Sequence, residues 1–362
     1  MYITTTTYKV LIKKKVYLTV YNNKILKIFK GEPSSEIPIW FLRQAGRHIP
    51  EYFSIRSKSK NFIDFCLNKD LIIESTRLPL KYYNIDAAIV FSDILMIPWA
   101  MNRNVKFVQG HGPLMDPMIP NETIILDNIN IIDSLKPLKD ALTILRTSLS
   151  SDICLIGFAG APWTLACYMI DGGSSKDFIE TRKAIWGSYK WFNKLINTLI
   201  IYVVDILEMQ AKAGADVLMI FDSWSHMIPS VFWKDFAINP TKEIISNLRK
   251  RKILNPIIGF PFKGGNSIID YSYESGVDCI ALDWTVDLPW AIKNINTEIV
   301  IQGNLDPAAL ISNNLNLHKN VDFILSNMVD KRFIFNVGHG LTPDCKIENI
   351  KAVIKQVKNY KS

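Results

Sequence analysis

The chain has 362 residues, of which 48% are hydrophobic and 21% are charged, with a formal net charge of +8. This size and apolar content suit one large domain or two average ones with a sizeable core. The charge gives no evidence for a nucleic-acid partner, because residues 1–31 contain seven lysines and no acid, which leaves 8 − 7 = +1 for the remainder. The five cysteines have no C-x-x-C or metal-ligand spacing, which predicts reduced, mostly buried thiols, and no apolar run is long enough to span a membrane.

Residues 1–37 form a basic N-terminal extension ahead of the regularly patterned part of the chain, which is predicted to be one catalytic domain over 38–362. Three interpretations of the extension stay open: the remnant of an organelle transit peptide, a disordered basic arm, or additional β-structure, favoured by Val10, Tyr17, Thr19 and Tyr21. Heavy Ile, Asn and Lys usage is typical of an AT-rich genome, and a transit peptide in such an organism would direct the chain to an organelle such as a plastid. The alternative is the cytoplasm.

From residue 38 onward, short apolar runs alternate with amphipathic helical stretches. Each run is continuously apolar, as expected for a parallel sheet that is covered on both faces. The eight runs are 39–42, 87–91, 153–157, 217–221, 257–260, 279–282, 299–303 and 332–337. Eight strand and helix units predict an α/β fold, a single-domain (β/α)8 barrel of the TIM type with its site at the C-terminal strand ends. A doubly wound open sheet is the alternative, although no G-x-G-x-x-G sequence follows the first run.

The first run is followed by Arg43-Gln44-Ala45-Gly46-Arg47, two arginines around small residues. A planar guanidinium meets a carboxylate through two parallel hydrogen bonds, and Gly46 lets the backbone approach a ligand closely. The loop therefore predicts a ligand that carries acid groups, and Arg56 is a candidate third contact.

Candidate polar residues also follow six of the seven other runs. In chain order they are Ser92 and Asp93, then 160–164 with Tyr168, Asp222 with Ser223 and Trp224, Asp283 with Trp284, Asn304 with Asp306, and His339 between two glycines. Because the carboxyl ends of barrel strands meet at one rim, these residues are predicted to form a single site. The Gly- and Pro-containing segment 101–133 is predicted to be an irregular insertion before the third strand.

These segments resemble, in the same order, the motifs of uroporphyrinogen decarboxylases. The resemblance rests on the block 43–51, on the strings around Asp93 and 160–164, on 282–284 and 302–307, and on the Gly-His-Gly turn. His48 stands where that family usually has tyrosine. The resemblance implies a cofactor-free, metal-free enzyme of heme biosynthesis that converts uroporphyrinogen III to coproporphyrinogen III by removing four acetate carboxyls. Its family members are usually homodimers.

The resemblance also implies roles for individual residues. Asp93 lies beneath the macrocycle and stabilises positive charge on a protonated pyrrole, and Arg43 is a second catalytic candidate as proton donor. The implied substrate-binding residues are Arg43, Gln44, Ala45, Gly46, Arg47, Asp93, Tyr168, Ser223 and His339. A pyrrole that is protonated on a ring carbon can accept the electrons left by departing CO2, so the chemistry itself needs no borrowed electron sink.

Each singled-out residue also has an ordinary structural explanation. Asp93 could cap a helix, Tyr168 could be a core tyrosine, and Ser223, which lacks a surrounding G-x-S-x-G, could cap the next helix. Two other functions stay open as well. One is a corrinoid-dependent methyltransferase, which needs a His-x-Cys zinc site that this sequence does not show. The other is a catalytically inactive tetrapyrrole-binding protein.

Overall fold

The computed structural model describes residues 23–32, 36–108, 110–121, 130–312 and 316–360. Seven parallel strands pair in chain order to form a curled sheet, and two further strands form a separate hairpin after the first of them. The strands of the sheet are β1 (Ala87–Ile89), β4 (Cys154–Gly160), β5 (Val217–Asp222), β6 (Ile257–Pro261), β7 (Cys279–Ala281), β8 (Val300–Leu305) and β9 (Phe333–Val337). Nearly all of their residues are buried, which is why these strands read as continuous apolar runs.

Helices connect the strands and cover the outside of the sheet. They are Lys24–Phe29, Glu51–Arg56, Phe62–Cys66, Lys69–Tyr82, Met96–Ala100, Ile131–Ser134, Lys136–Ser148, Pro162–Asp171, Ile179–Gly187, Tyr189–Lys212, Asn239–Lys250, Ile268–Glu274, Leu288–Asn294, Asn316–Met328 and Ile347–Asn359. Shorter 3-10 and π-helical turns lie at Ser225–Met227, Ser230–Phe232, Lys234–Ile238, Gly265–Ser267 and Pro307–Leu310. No helix in the described ranges is both long enough and apolar enough to cross a membrane.

The first predicted strand, 39–42, is not a strand of the sheet. Only Ile39 makes a parallel bridge, to Phe335 of β9. On its other side the Ile39 carbonyl accepts a hydrogen bond from the Asp86 N–H at 2.8 Å, directly before β1. The segment therefore lies between β9 and β1 and closes the barrel. It is too short for a regular ladder because the backbone turns at Arg43, where φ is 54°.

Three aspartates tie neighbouring segments together at the N-terminal end of the barrel, each directly before a strand: Asp86, Asp216 and Asp278. Their carboxylates accept backbone N–H groups at 2.8 Å from Ile39, Leu155 and Ile257, respectively. They also pair, at 2.5–3.5 Å, with cations of the surrounding helices, namely Lys24 and Lys358, Arg146, and Arg249. Each carboxylate thus has both a neutral donor and a counter-charge, which offset the loss of water around its charge.

The helix Lys24–Phe29 packs against β4 and β9 and buries Ile25 completely. Packing of the barrel therefore begins before residue 38, where the catalytic domain was predicted to start. Residues 1–22, including the positions considered for β-structure, lie outside the described residues. The predicted irregular insertion contains an antiparallel hairpin of β2 (Lys106–Val108) and β3 (Gly112–Leu114), and its positions 109 and 122–129 are likewise outside the described residues.

Candidate active site at the carboxyl rim

The loop after the closing segment is fixed to β9 by its backbone. The Leu42 N–H donates to Asn336 Oδ1 at 2.9 Å, and the Leu42 carbonyl accepts from the Leu341 N–H at 2.9 Å. The Arg43 side chain lies across Gly340, where an added Cβ would stand 2.3 Å from Arg43 Cδ. Arg43 and Arg47 are both exposed, and no carboxylate of the described residues lies within 4 Å of either guanidinium. Their charge is available to a ligand.

Gln44 has a different role from its neighbours. It is completely buried, its Nε2 donates to the Ala87 carbonyl at 3.0 Å, and its Oε1 accepts from the Phe41 N–H at 3.1 Å. The Gln44 side chain therefore holds the arginine loop on β1, and its contact with substrate stays a prediction. Ala45 and Gly46 are half-buried, and a Cβ on Gly46 would lie 3.0 Å from the Arg43 carbonyl oxygen, so the turn leaves little room for a side chain.

Asp93 lies at the rim after β1 and is half-buried. Its Oδ1 accepts a hydrogen bond from the Leu95 N–H at 2.8 Å, so it does form the turn that precedes the helix Met96–Ala100. This contact occupies one of the two carboxylate oxygens. Burial raises the pKa of Asp93, while the Leu95 N–H and the nearby Arg43 charge lower it. Asp93 is held by a neutral backbone donor with Arg43 in electrostatic range.

Tyr168 and Ser223 come from neighbouring positions on the rim, beyond β4 and β5. The Tyr168 ring meets Phe178 and Trp224 edge-on, each at 6.1 Å, and both burial and the Asp93 charge raise the pKa of its hydroxyl. Ser223 is half-buried, and no described residue forms a hydrogen bond with its hydroxyl. The Tyr168 hydroxyl stays protonated, and the Ser223 hydroxyl has no hydrogen-bond partner among the described residues.

The preceding residue, Asp222, is used inside the protein. Its Oδ1 accepts from the Thr164 hydroxyl at 2.6 Å, and the same hydroxyl accepts from the Trp224 N–H at 3.1 Å. Burial raises the pKa of Asp222 to about 7. This network fixes the carboxyl ends of β4 and β5 relative to each other.

His339 lies in a turn whose two glycines are required by close packing. A Cβ on Gly338 would stand 2.3 Å from the backbone nitrogen of Trp284, and Gly340 makes room for the Arg43 side chain. The imidazole packs 4.8 Å from the Phe262 ring and 6.0 Å from the Trp284 ring. Burial first, and then the positive charges of Arg43 and Lys263, lower the pKa of His339 to about 4. His339 is therefore neutral near pH 7 and can donate one hydrogen bond.

The charge of Arg43 acts on Asp93, Tyr168 and His339, so these four predicted residues share one electrostatic neighbourhood. Arg56, the candidate third arginine, is used locally instead. Its Nη1 donates to the Ser59 hydroxyl at 2.8 Å, and its guanidinium lies 5.6 Å from the centre of the Phe65 ring. Arg43 is thus the cation that these rim residues share, and Arg47 is exposed in the same loop.

A family model described as uroporphyrinogen decarboxylase (URO-D) matches residues 21–360. The chain belongs to the uroporphyrinogen decarboxylase family. A uroporphyrinogen decarboxylase from Chelativorans sp. (strain BNC1) is 41% identical over 335 residues, which cover 92% of this chain and 98% of the relative. One from Maricaulis maris (strain MCS10) is 39% identical, covering 92% and 97%. The predicted family is confirmed.

A solved structure described as a methyltransferase from Methanosarcina mazei has a TM-score of 0.76 at 15% identity, covering 92% of this chain and 96% of the other. At this identity the likeness supports the fold alone, and it agrees with the single-domain barrel predicted for a uroporphyrinogen decarboxylase. Across the described residues, no three or more His, Cys, Asp or Glu side chains are grouped as metal ligands. All five cysteines are free and buried, as predicted.

The residues after β6 were not among those predicted for the rim. Phe262 and Lys263 follow this strand directly, and Lys263 is exposed with φ at 55°. The available signal was a lone lysine between an aromatic residue and Gly264-Gly265 at the end of a buried run. This position lies at the end of the barrel where active sites are built.

Proposed function

We propose that this protein is a uroporphyrinogen decarboxylase that removes four acetate carboxyls from uroporphyrinogen III and yields coproporphyrinogen III. The relatives bearing that name match nearly their whole length. The observation that carries the proposal is the position of Arg43, whose guanidinium has no acid partner among the described residues and acts on Asp93, Tyr168 and His339. Such a group suits a substrate that itself supplies the carboxylates.

The chemical difficulty of the reaction is the electron pair that remains on the methylene when CO2 leaves. A pyrrole protonated on a ring carbon is an iminium-like cation and accepts that pair. Asp93 is placed to stabilise the cation, because its half-buried carboxylate lies in a region of reduced dielectric and leaves one oxygen for the pyrrole N–H groups. Asp93 is thus the proposed catalytic residue.

The remaining rim residues bind and orient the substrate in this proposal. Arg43 and Arg47 bind carboxylates, while Tyr168, Ser223 and neutral His339 offer hydrogen bonds that add no charge. Gln44 positions the arginine loop, and Ala45 and Gly46 keep it compact. We assign Arg43 to carboxylate binding first and retain it as the candidate proton donor, although a guanidinium is a weak acid and needs a reactive geometry for that role.

The test is incubation of the purified protein with uroporphyrinogen under reducing, anaerobic conditions, followed by oxidation and chromatography of the porphyrins. We expect products with seven, six, five and four carboxyls to appear in succession. Binding of the substrate without carboxyl loss would contradict the proposal and favour an inactive tetrapyrrole-binding protein.

We further propose that the protein forms a homodimer. Support comes from the resemblance to its family and from apolar side chains left on the surface, such as Trp186 and Val231, which are 67% and 71% exposed. Light scattering after size exclusion should give the mass of two 41.3 kDa chains. A single-chain mass across micromolar concentrations would contradict this.

For the compartment, the relatives named above come from bacteria, which favours the cytoplasm over the plastid. Residues 1–22, which would carry a transit signal, lie outside the described residues. A fluorescent protein fused behind residues 1–40 separates the two locations in the source cells. A diffuse signal is expected, and a plastid signal would restore the transit-peptide interpretation.

A further inference from the structure

Lys263 is a cation without a counter-charge on the side of the rim formed by β6 and β7. It is exposed, and no carboxylate of the described residues lies within 4 Å of its ammonium group. The charge is nevertheless held in place. Its Nζ lies 5.4 Å from the centre of the Phe262 ring and 5.2 Å from that of the Trp284 ring. Cation–π contacts to two rings restrict an otherwise flexible side chain.

The backbone of Lys263 is fixed independently of its side chain. Its N–H donates to Asp283 Oδ2 at 2.9 Å, and the other oxygen of this buried carboxylate accepts from the Thr285 N–H at 2.9 Å. The turn holds Lys263 in the left-handed region. A non-glycine residue there is uncommon and needs support from its surroundings, which Asp283 provides.

Lys263 faces the same histidine as the arginine loop. Phe262 packs against both Lys263 and His339, and the charges of Lys263 and Arg43 both act on the His339 imidazole. The two cations come from different parts of the barrel, one after β6 and one after the segment that closes it. The charges that act on His339 therefore come from two separate segments of the barrel rim.

We propose that Lys263 is a further substrate-binding residue, which holds a carboxylate of the tetrapyrrole on the β6 and β7 side while Arg43 and Arg47 hold others. This inference rests on the proposed function. The tetrapyrrole carries carboxylates all around its edge, and the cations of one loop cannot reach all of them. An additional cation at another strand end is therefore needed. If the substrate turns after each decarboxylation, a different carboxylate reaches Lys263 each time. The compact ammonium suits this, because it can bind a carboxylate from many directions.

The test compares Lys263→Met, Lys263→Arg and, as a matched control, Lys355→Met on an exposed position of the outer helix Ile347–Asn359. We expect the KM for uroporphyrinogen to rise about tenfold in Lys263→Met, the loss of one charge-assisted contact, with a smaller change in kcat. Lys263→Arg should restore most of the affinity, and Lys355→Met should match the wild type.

A second readout does not depend on turnover. The dissociation constant of oxidised uroporphyrin, from quenching of its fluorescence, should rise in Lys263→Met by the same factor and depend less steeply on salt concentration. Both constants within twofold of wild type, or no rescue by Lys263→Arg, would overturn the inference. If the wild type bound uroporphyrin through Lys263 but released no CO2, the proposed function would fail and this binding site would stand.

Discussion

The two ends of the barrel use charged residues in opposite ways. At the N-terminal end, Asp86, Asp216 and Asp278 each combine a backbone donor with a cation from an outer helix. At the carboxyl rim, no acid among the described residues lies within 4 Å of the cations Arg43, Arg47 and Lys263. The acids there are held by neutral donors, such as the Leu95 N–H at Asp93 and the Thr164 hydroxyl at Asp222.

This difference separates stability from function. A carboxylate with a donor and a counter-charge is satisfied in the free protein, so it stabilises the strand ends and offers nothing to a ligand. Several unpaired cations around one rim repel each other in the free protein. Binding of a polycarboxylate reduces this electrostatic repulsion. Variants at the two ends should therefore affect different observables.

Among the variants that compare the two ends of the barrel, the largest effect is expected at the arginine loop. Arg43→Leu removes a two-pronged carboxylate contact and should lower kcat/KM about 100-fold, which corresponds to about 3 kcal/mol. The free energy of unfolding should fall little, because no acid of the described residues loses an ion-pair partner within 4 Å and Asp93 loses only a charge at longer range. Steady-state kinetics and urea unfolding on the same preparation measure both. A stability loss that parallels the activity loss would contradict the separation of the two ends.

The reverse outcome is expected for Asp216→Asn at the N-terminal end. Asparagine still accepts the Leu155 N–H but removes the charge that faces Arg146, and about 2 kcal/mol of stability should be lost. The kcat/KM should stay within twofold of wild type. Asp330→Asn, an exposed position, is the control for removal of a carboxylate. A tenfold fall in kcat/KM with an unchanged free energy of unfolding would contradict the separation of stability and function between the two ends.

His48 lies in the arginine loop yet is a buried, uncharged group with both ring nitrogens unpaired within the described protein. Burial lowers its pKa from 6.5 to about 4. Between these values the unfolded chain takes up a proton that the folded chain does not, so the contribution to stability is present above pH 6.5 and lost as pH falls towards 4.

His48→Phe should remove that dependence. The stability of the variant minus that of wild type should grow by roughly 2 kcal/mol between pH 7.5 and pH 5, at about 1.4 kcal/mol per pKa unit. Thermal or urea unfolding at several pH values measures it. Taking the difference cancels the opposite contribution of Asp222, whose pKa is raised to about 7 in both proteins. A difference that is constant with pH would show that His48 is not held neutral.

The smallest effect is expected at Gly340. A methyl group there would stand 2.6 Å from Arg43 Cγ, so Gly340→Ala should displace the guanidinium and raise KM about tenfold. Gly187→Ala is the matched control, because an added Cβ at Gly187 meets nothing within 4 Å. Equal KM values in the two variants would mean that the placement of Arg43 by Gly340 does not matter for binding.

Much of the fold could be predicted because buried parallel strands leave continuous apolar runs, as the seven strands from β1 to β9 in the main sheet do. The exception, 39–42, is equally apolar but turns at Arg43 after one bridge. Hydrophobicity reports burial and does not report where a backbone changes direction. The N-terminal helix Lys24–Phe29 was not predicted either, because its lysines resemble those of the rest of the basic extension.

The positions of the site residues in the chain were also easier to predict than the directions of their side chains. Residue types and their place after strands brought Arg43, Asp93, Tyr168 and His339 to one rim. Gln44 sits in the same motif, but its side chain turns inward to Ala87, and no pattern in the sequence distinguishes an inward from an outward side chain in a loop. Lys263 carried no recognisable motif, and its importance comes from the rings of Phe262 and Trp284 that hold it.

The most direct test of the account is single-turnover decarboxylation by wild-type and Asp93→Asn protein in excess over uroporphyrinogen. Asparagine keeps the size and one acceptor of Asp93 but loses its negative charge. We predict that Asp93→Asn binds the substrate with nearly wild-type affinity and converts it about 100-fold or more slowly, since the charge acts on the cationic transition state. Equal single-turnover rates in the two proteins would contradict the electrostatic role of Asp93.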